Sequence, residues 1–164
     1  MNRRPAFKAV PVWPVTSANP PAAVSRWPDD WWTWERSFPG SVIQVGQVRS
    51  AARIVLDGCS AADDVVHILS EISANACRHS RSGKPGGEFI VRLHHSPGAC
   101  VLGEVEDQGE SWDGDLKASA RDQSGLSIVL ALASSCGMEL RPGERRAVWF
   151  HLPCRPKYLG EAGR

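Results

Sequence analysis

Apolar and polar residues along the chain follow two rhythms, one repeating about every 2 residues and one about every 3.6, and the switches between them outline the elements. Residues 32–38 alternate in the short rhythm and Pro39-Gly40 stops them, which predicts a strand. Val45, Val48, Ala52 and Val55 then recur at helical spacing, with Ser41 as the candidate cap and Gly58 near the end. A second helix is predicted from about residue 62 to residue 79, with Ser60 or Asp63 near its start. Residues 83–87 read as a loop, and 88–95 and 99–106 as paired strands joined by Ser96-Pro97-Gly98. Residues 107–123 have no period, and a loop of that length inside a compact domain reads as a lid. Residues 124–136 are predicted as a helix with Leu126, Val129, Leu130 and Ala133 on one face and Gly137 as its terminator. Two short strands, 138–141 and 147–152, joined through Pro142-Gly143, close the domain. Helices grouped early and strands that adjoin one another favour an α+β fold over a parallel array.

The ends of the chain have a different texture. Residues 1–30 are rich in proline, carry no acidic residue before Asp29 and show no period, so they read as a flexible arm. Trp13 and Trp27 lie within it, and Trp31, Trp32 and Trp34 follow directly. The favoured reading has Trp31, Trp32 and Trp34 straddling the first strand and covering the core; the alternative is an arm that docks on a partner. Arg3, Arg4 and Lys8 suggest the start of an export signal, but Pro11, Pro14, Pro20 and Pro21 break every apolar run behind them. The expected domain spans 31–153, with a tail from 154 to 164.

Composition narrows the function classes. A chain of 164 residues suits one hydrophobic core, since such cores occupy about 100–200 residues. Lys plus Arg total 19 and Asp plus Glu total 18, so the net charge of +1 argues against direct nucleic-acid binding or a membrane surface. No apolar run approaches the roughly 18 residues that a spanning helix requires. The five cysteines are odd in number, spread out and never paired as C-x-x-C. Free thiols in a reducing cytoplasm are therefore expected, rather than disulfides or structural zinc, and the five histidines form no metal pattern with them.

Three segments carry candidate chemistry. Within residues 62–79, Val65, Leu69, Ile72 and Ala76 form an apolar stripe, and Asp64, Glu71, Asn75 and Arg78 a polar one rotated by roughly 110°. Glu71 and Asn75 are one turn apart, a carboxylate and a carboxamide able to meet a hard cation and a nucleophile; a merely solvated face is the commoner origin of such a stripe. Residues 100–106 form an apolar strand running into Asp107-Gln108-Gly109, which puts a carboxylate at a sheet edge where glycine opens the backbone. An ordinary Asp-Gly turn is the alternative. Gln123-Ser124-Gly125-Leu126 opens the third helix, where free N–H groups attract phosphate.

In this order the three segments resemble the GHKL (Bergerat-fold) ATPase superfamily, and within it the anti-sigma-factor serine kinases. Glu71-xxx-Asn75-Ala-x-Arg78-His79-Ser80 is similar to the N box of that branch. Glu106-Asp107-x-Gly109 resembles its adenine motif, Gly125-Leu126-x-Ile128-Val129 its phosphate-lid motif, and Val148-Trp149-Phe150-x-Leu152 its closing strand. The resemblance implies a two-layer α/β sandwich, with a mixed, mostly antiparallel sheet covered on one face by helices. It implies Glu71 as general base, Asn75 as the Mg²⁺ ligand and Asp107 as the reader of adenine. Gly109 would give the base room, and Gly125 and Leu126 would offer N–H groups to the ATP phosphates. Arg78 or Arg121 would add positive charge there.

Three positions depart from the family pattern: Ser111 and Gln123 stand where glycines are usual, and Ala147 where a threonine helps to hold adenine. Losing one such hydrogen bond costs about 0.5–1.5 kcal/mol, which weakens affinity without abolishing it. The implied function is an ATP-dependent serine kinase acting on an antagonist protein in the cytoplasm, with sequestration of a sigma factor and homodimerisation as further implications. A non-catalytic ATP-gated binding module is the alternative, and a stand-alone sensor-kinase-like ATPase domain a third.

Overall fold

The computed structural model describes residues 32–110 and 125–154. The arm 1–30 with Trp13 and Trp27, Trp31, the positions Ser111, Arg121, Gln123 and Ser124, and the tail beyond Cys154 lie outside the described residues. Five strands and three α-helices follow in the order β1 (Trp32–Pro39), α1 (Gln44–Val55), α2 (Ala62–His79), β2 (Glu88–Ser96), β3 (Cys100–Asp107), α3 (Leu126–Leu132), β4 (Ser135–Arg141) and β5 (Arg145–Pro153). Short 3₁₀ turns, Arg81–Gly83 and Pro142–Glu144, follow α2 and β4.

The strands form one sheet in the order β1-β2-β3-β5-β4. Every pairing among the described strands is antiparallel, so the sheet is not mixed as the resemblance implied. Its α+β character stands. Strand β3 is central, which puts Asp107 at the carboxyl end of an interior strand rather than on an edge. One face carries the core: Phe38, Phe89, Val91, Leu93, Val101, Val105, Phe150 and Leu152 meet Val48, Ala52, Val65, Leu69, Ile72 and Ala76 from α1 and α2. Phe38 and Phe89 stack at 5.6 Å, and each such buried side chain contributes roughly 1.5–3 kcal/mol. Gly103 leaves room for the Phe150 ring where any larger residue would collide with it. Trp32 and Trp34 pack against this core, as the strand-covering reading expects.

Local sequence placed α2 at its observed bounds, with Asp63 and Asp64 in its first turn where the helix dipole favours them. Elsewhere tertiary pairing overrides local signals. Helix α1 starts at Gln44, with no side-chain cap from Ser41; a turn intervenes in which the Ser41 carbonyl accepts the Gln44 N–H. Nor does Ser60 or Asp63 cap α2, whose N-cap is Ala61. Helix α3 ends at Leu132, short of residue 136, because Ser134 bonds to His151 and the chain enters β4. Gly137 therefore terminates nothing: it lies in β4 opposite Trp149, whose ring fills the space that a side chain there would take.

The face turned away from α1 and α2 is lined with charge. Arg92 binds Glu35 at 2.5 Å and reaches Glu104 and Glu106 at 2.6 Å each. Arg141 binds the same two glutamates from β4 at 2.7 and 3.0 Å, and Arg145 adds a further bond to Glu106. Glu104 is wholly buried beneath these guanidinium groups. Among the described residues no helix is long and apolar enough to cross a membrane.

Candidate nucleotide site

Helix α2 packs on β3 and on α3. Glu71 and Asn75 are both half-buried. The Asn75 Nδ2 is fully buried and has no hydrogen-bond partner among the described residues. Such a group costs about 1–3 kcal/mol in a folded chain.

Gly125, the N-cap residue of α3, lies directly on Glu71. A side-chain carbon at 125 would overlap the Glu71 carboxylate, with its Cδ at 2.5 Å and its Cβ at 2.8 Å. Only glycine lets the start of α3 approach a carboxylate on α2 this closely, and Leu126 behind it is buried in the core. The lid segment and the N-box segment, separated by some fifty residues of chain, thus touch.

The third segment is attached through the turn that follows α2. The Arg81 N–H donates to the Gly109 carbonyl at 2.9 Å and Arg81 Nε to the Gln108 carbonyl at 2.9 Å. The Gln108 N–H donates to Ser82 Oγ at 2.9 Å, while Ser82 Oγ donates to the Glu88 carbonyl at 2.6 Å. Gly109 has φ +68°, and a side chain there would overlap the Glu144 carbonyl, so this turn also requires glycine.

Asp107 follows Val101, Gly103 and Val105 on the face that α2 covers, and is 3% exposed. Its Oδ1 accepts the Gly109 N–H at 2.7 Å, and its Oδ2 accepts Arg146 Nε at 3.0 Å and Nη2 at 2.6 Å. A carboxylate offers about four lone-pair positions, and these three bonds leave room for one more donor. Burial pushes the Asp107 carboxyl above its ordinary value, against the pull of Arg146 and the Gly109 N–H. Arg146 stands directly opposite Asp107 in the register, whereas Ala147 faces Glu106 on the other side of the sheet.

Arg78 sits exposed in the last turn of α2, near Cys77, whose thiol burial pushes up and Arg78 pulls down. The structure thus seats Gly125 on Glu71, one helical turn from Asn75, and ties Gln108 and Gly109, which follow Asp107, to the turn after the same helix. Sequence reasoning missed Arg81, Ser82 and Arg146. Arg146 has no local signal, because only the β3–β5 register identifies its partner.

A profile of the histidine kinase-like ATPase domain family matches residues 38–150, and the chain belongs to that family. ATP is the nucleotide which that membership implies. Among solved structures, the RsbU and RsbW domains of Rv1364c from Mycobacterium tuberculosis are similar, at 20% identity and a TM-score of 0.53. That similarity covers 75% of this chain and 33% of the other, so the chain spans about a third of that structure's length, and the likeness shows the fold. No curated protein matches the chain.

Proposed function

We propose that this chain is an ATP-dependent serine protein kinase of the anti-sigma type. ATP enters between α2, the end of β3 and the start of α3. The adenine amine donates to the remaining acceptor position of Asp107, and Gly109 gives the base room. The backbone N–H groups of Gly125 and Leu126 face the phosphates, with Arg78 adding charge at the rim. The donor set fits Mg²⁺, a hard ion that prefers oxygen ligands and keeps several waters. With the Asn75 amide nitrogen turned into the protein, its oxygen is the ligand, and the ion supplies charge neutralisation on the phosphates when bound. Glu71 takes the proton of an incoming serine hydroxyl as its oxygen attacks the γ-phosphorus and ADP departs.

The observation that carries this reading is the seating of Gly125 on Glu71, which supports a base held where the phosphate lid closes. The serine belongs to a small antagonist protein, with a sigma factor as second partner, as the resemblance of the three segments to the anti-sigma-factor kinases implies. The setting is the cytoplasm, and homodimerisation belongs to the same reading. The test is transfer of labelled γ-phosphate from ATP to candidate antagonist proteins. Label on serine that disappears in Glu71→Ala supports the reading, and equal labelling by that variant refutes Glu71 as base.

The departures from the family pattern at Ser111, Gln123 and Ala147 favour a second reading, an ATP-gated binding module without transfer. That reading expects nucleotide-dependent association with a partner and no label on it.

A further inference from the structure

At the end of the sheet opposite the candidate nucleotide site, three soft donors from distant parts of the chain converge. Cys59 lies in the turn between α1 and α2, His95 near the end of β2, and Cys154 just after β5. Their ligand atoms, two Sγ and one imidazole nitrogen, all lie within 4.8 Å of one another. The two sulfurs are 3.1 Å apart, and His95 and Cys154 are 4% and 6% exposed. The spacings in sequence are far too long for a linear motif, so only the fold brings these three side chains together.

We propose that Cys59, His95 and Cys154 form a zinc site with two thiolates, one imidazole and a fourth position left to water. Distances allow it. Zinc binds thiolate at about 2.3 Å and imidazole at about 2.0–2.1 Å, so two sulfurs on tetrahedral zinc stand about 3.8 Å apart. The sulfurs need to open by about 0.7 Å, within reach of a rotamer adjustment on the half-buried Cys59 in its turn.

Charge favours it as well. Two thiols in contact in an apolar setting cannot both ionise against each other, whereas a divalent cation draws off both protons and the resulting site is neutral. Sulfur donors select zinc over Mg²⁺ or Ca²⁺. Trp32 meets the His95 ring edge-on at 4.9 Å and fixes its plane. Bound metal would join the α1–α2 turn to the ends of β2 and β5.

The site is separate from the nucleotide. Strand β3 runs from Cys100, beside Pro153, to Asp107, beside Arg146, which separates the two ends by about 23 Å. The proposal therefore stands whether or not the chain is a kinase.

The test is a Co²⁺ titration of the full chain, reduced and stripped of metal by chelation. The expected result is one equivalent bound, with a thiolate-to-cobalt charge-transfer band of two-thiolate intensity and tetrahedral d–d bands, both erased by Zn²⁺ and unmoved by excess Mg²⁺ or ATP. Cys59→Ser and Cys154→Ser should each lower the charge-transfer band by about half, and each of these changes and His95→Ala should weaken binding more than about 10-fold. Cys136→Ser should change neither. X-ray absorption of the zinc-loaded wild type, which needs no variant, should show two sulfur neighbours. The absence of a thiolate–cobalt band in the reduced wild type overturns the site. So does a band that survives in the folded Cys59→Ser and Cys154→Ser proteins, or zinc surrounded only by oxygen and nitrogen.

Discussion

Glu106 and Asp107 are neighbours in the chain and opposites in surroundings. Glu106 points to the face without helices, where Arg92, Arg141 and Arg145 hold it; burial raises its pKa, and the arginines outweigh burial and bring it below the ordinary value. Asp107 points to the helix-covered face, with one arginine and one backbone N–H, and burial wins. The same strand end thus carries one carboxylate whose acceptor capacity is spent on structure and one that keeps capacity for a ligand. A motif read from sequence cannot tell the two apart; the alternation of a β-strand does.

The largest expected effect separates Glu71, the proposed base, from both. Glu71→Ala should lower phosphotransfer by about 10²–10⁴-fold while ATP affinity stays within about threefold. Initial rates and nucleotide titration on the same preparation check it. Glu106→Ala removes the carboxylate that holds Arg145 and one of those shared by Arg92 and Arg141, and should cost about 3–5 kcal/mol in denaturant unfolding, with little change in ATP affinity. Asp107→Asn keeps the shape and one acceptor oxygen, so its stability loss should be smaller, about 1–3 kcal/mol. Equal losses for the two would erase the contrast. Gly125→Ala should cost about 1–3 kcal/mol by pressing on Glu71, and should slow transfer in the same step.

Acid sharpens the comparison with the smallest signal. A carboxyl held low in the folded state, such as Glu106, contributes stability above its unfolded value near 4.5 that is lost as pH falls. A carboxyl held high, such as Asp107, costs stability when ionised and returns it as pH falls towards 3.8. His94, lowered to about 4 by burial and then by Arg92, adds a loss as pH falls from 6.5. Unfolding free energy between pH 6.5 and 4 should therefore fall less steeply in Glu106→Gln than in wild type, and more steeply in Asp107→Asn.

Much of this was legible in the sequence, and for a physical reason. Helix α2 announces itself by an apolar stripe and two acidic residues in its first turn, both local features, and the Glu71–Asn75 pair follows from helical geometry alone. The turn at Gly98, with φ +75°, is equally local. What the sequence hid depends on partners distant in the chain. Residues 133–136 carry helical periodicity, yet pairing with β5 makes an extended strand of their second half. Arg146 becomes the partner of Asp107 only through register, and Arg81 reaches Gly109 only because α2 ends above β3. Cys59, His95 and Cys154 meet only when three elements close on one another.

In the proposed function three stretches of chain serve one nucleotide, and the most direct measurement is a titration of ATP with and without Mg²⁺ on wild type, Asp107→Asn and Asn75→Ala. A single site is expected, weakened in both conditions by Asp107→Asn and stripped of its Mg²⁺ enhancement alone by Asn75→Ala. Wild-type affinity in both variants, or two independent sites that each variant affects separately, would contradict it.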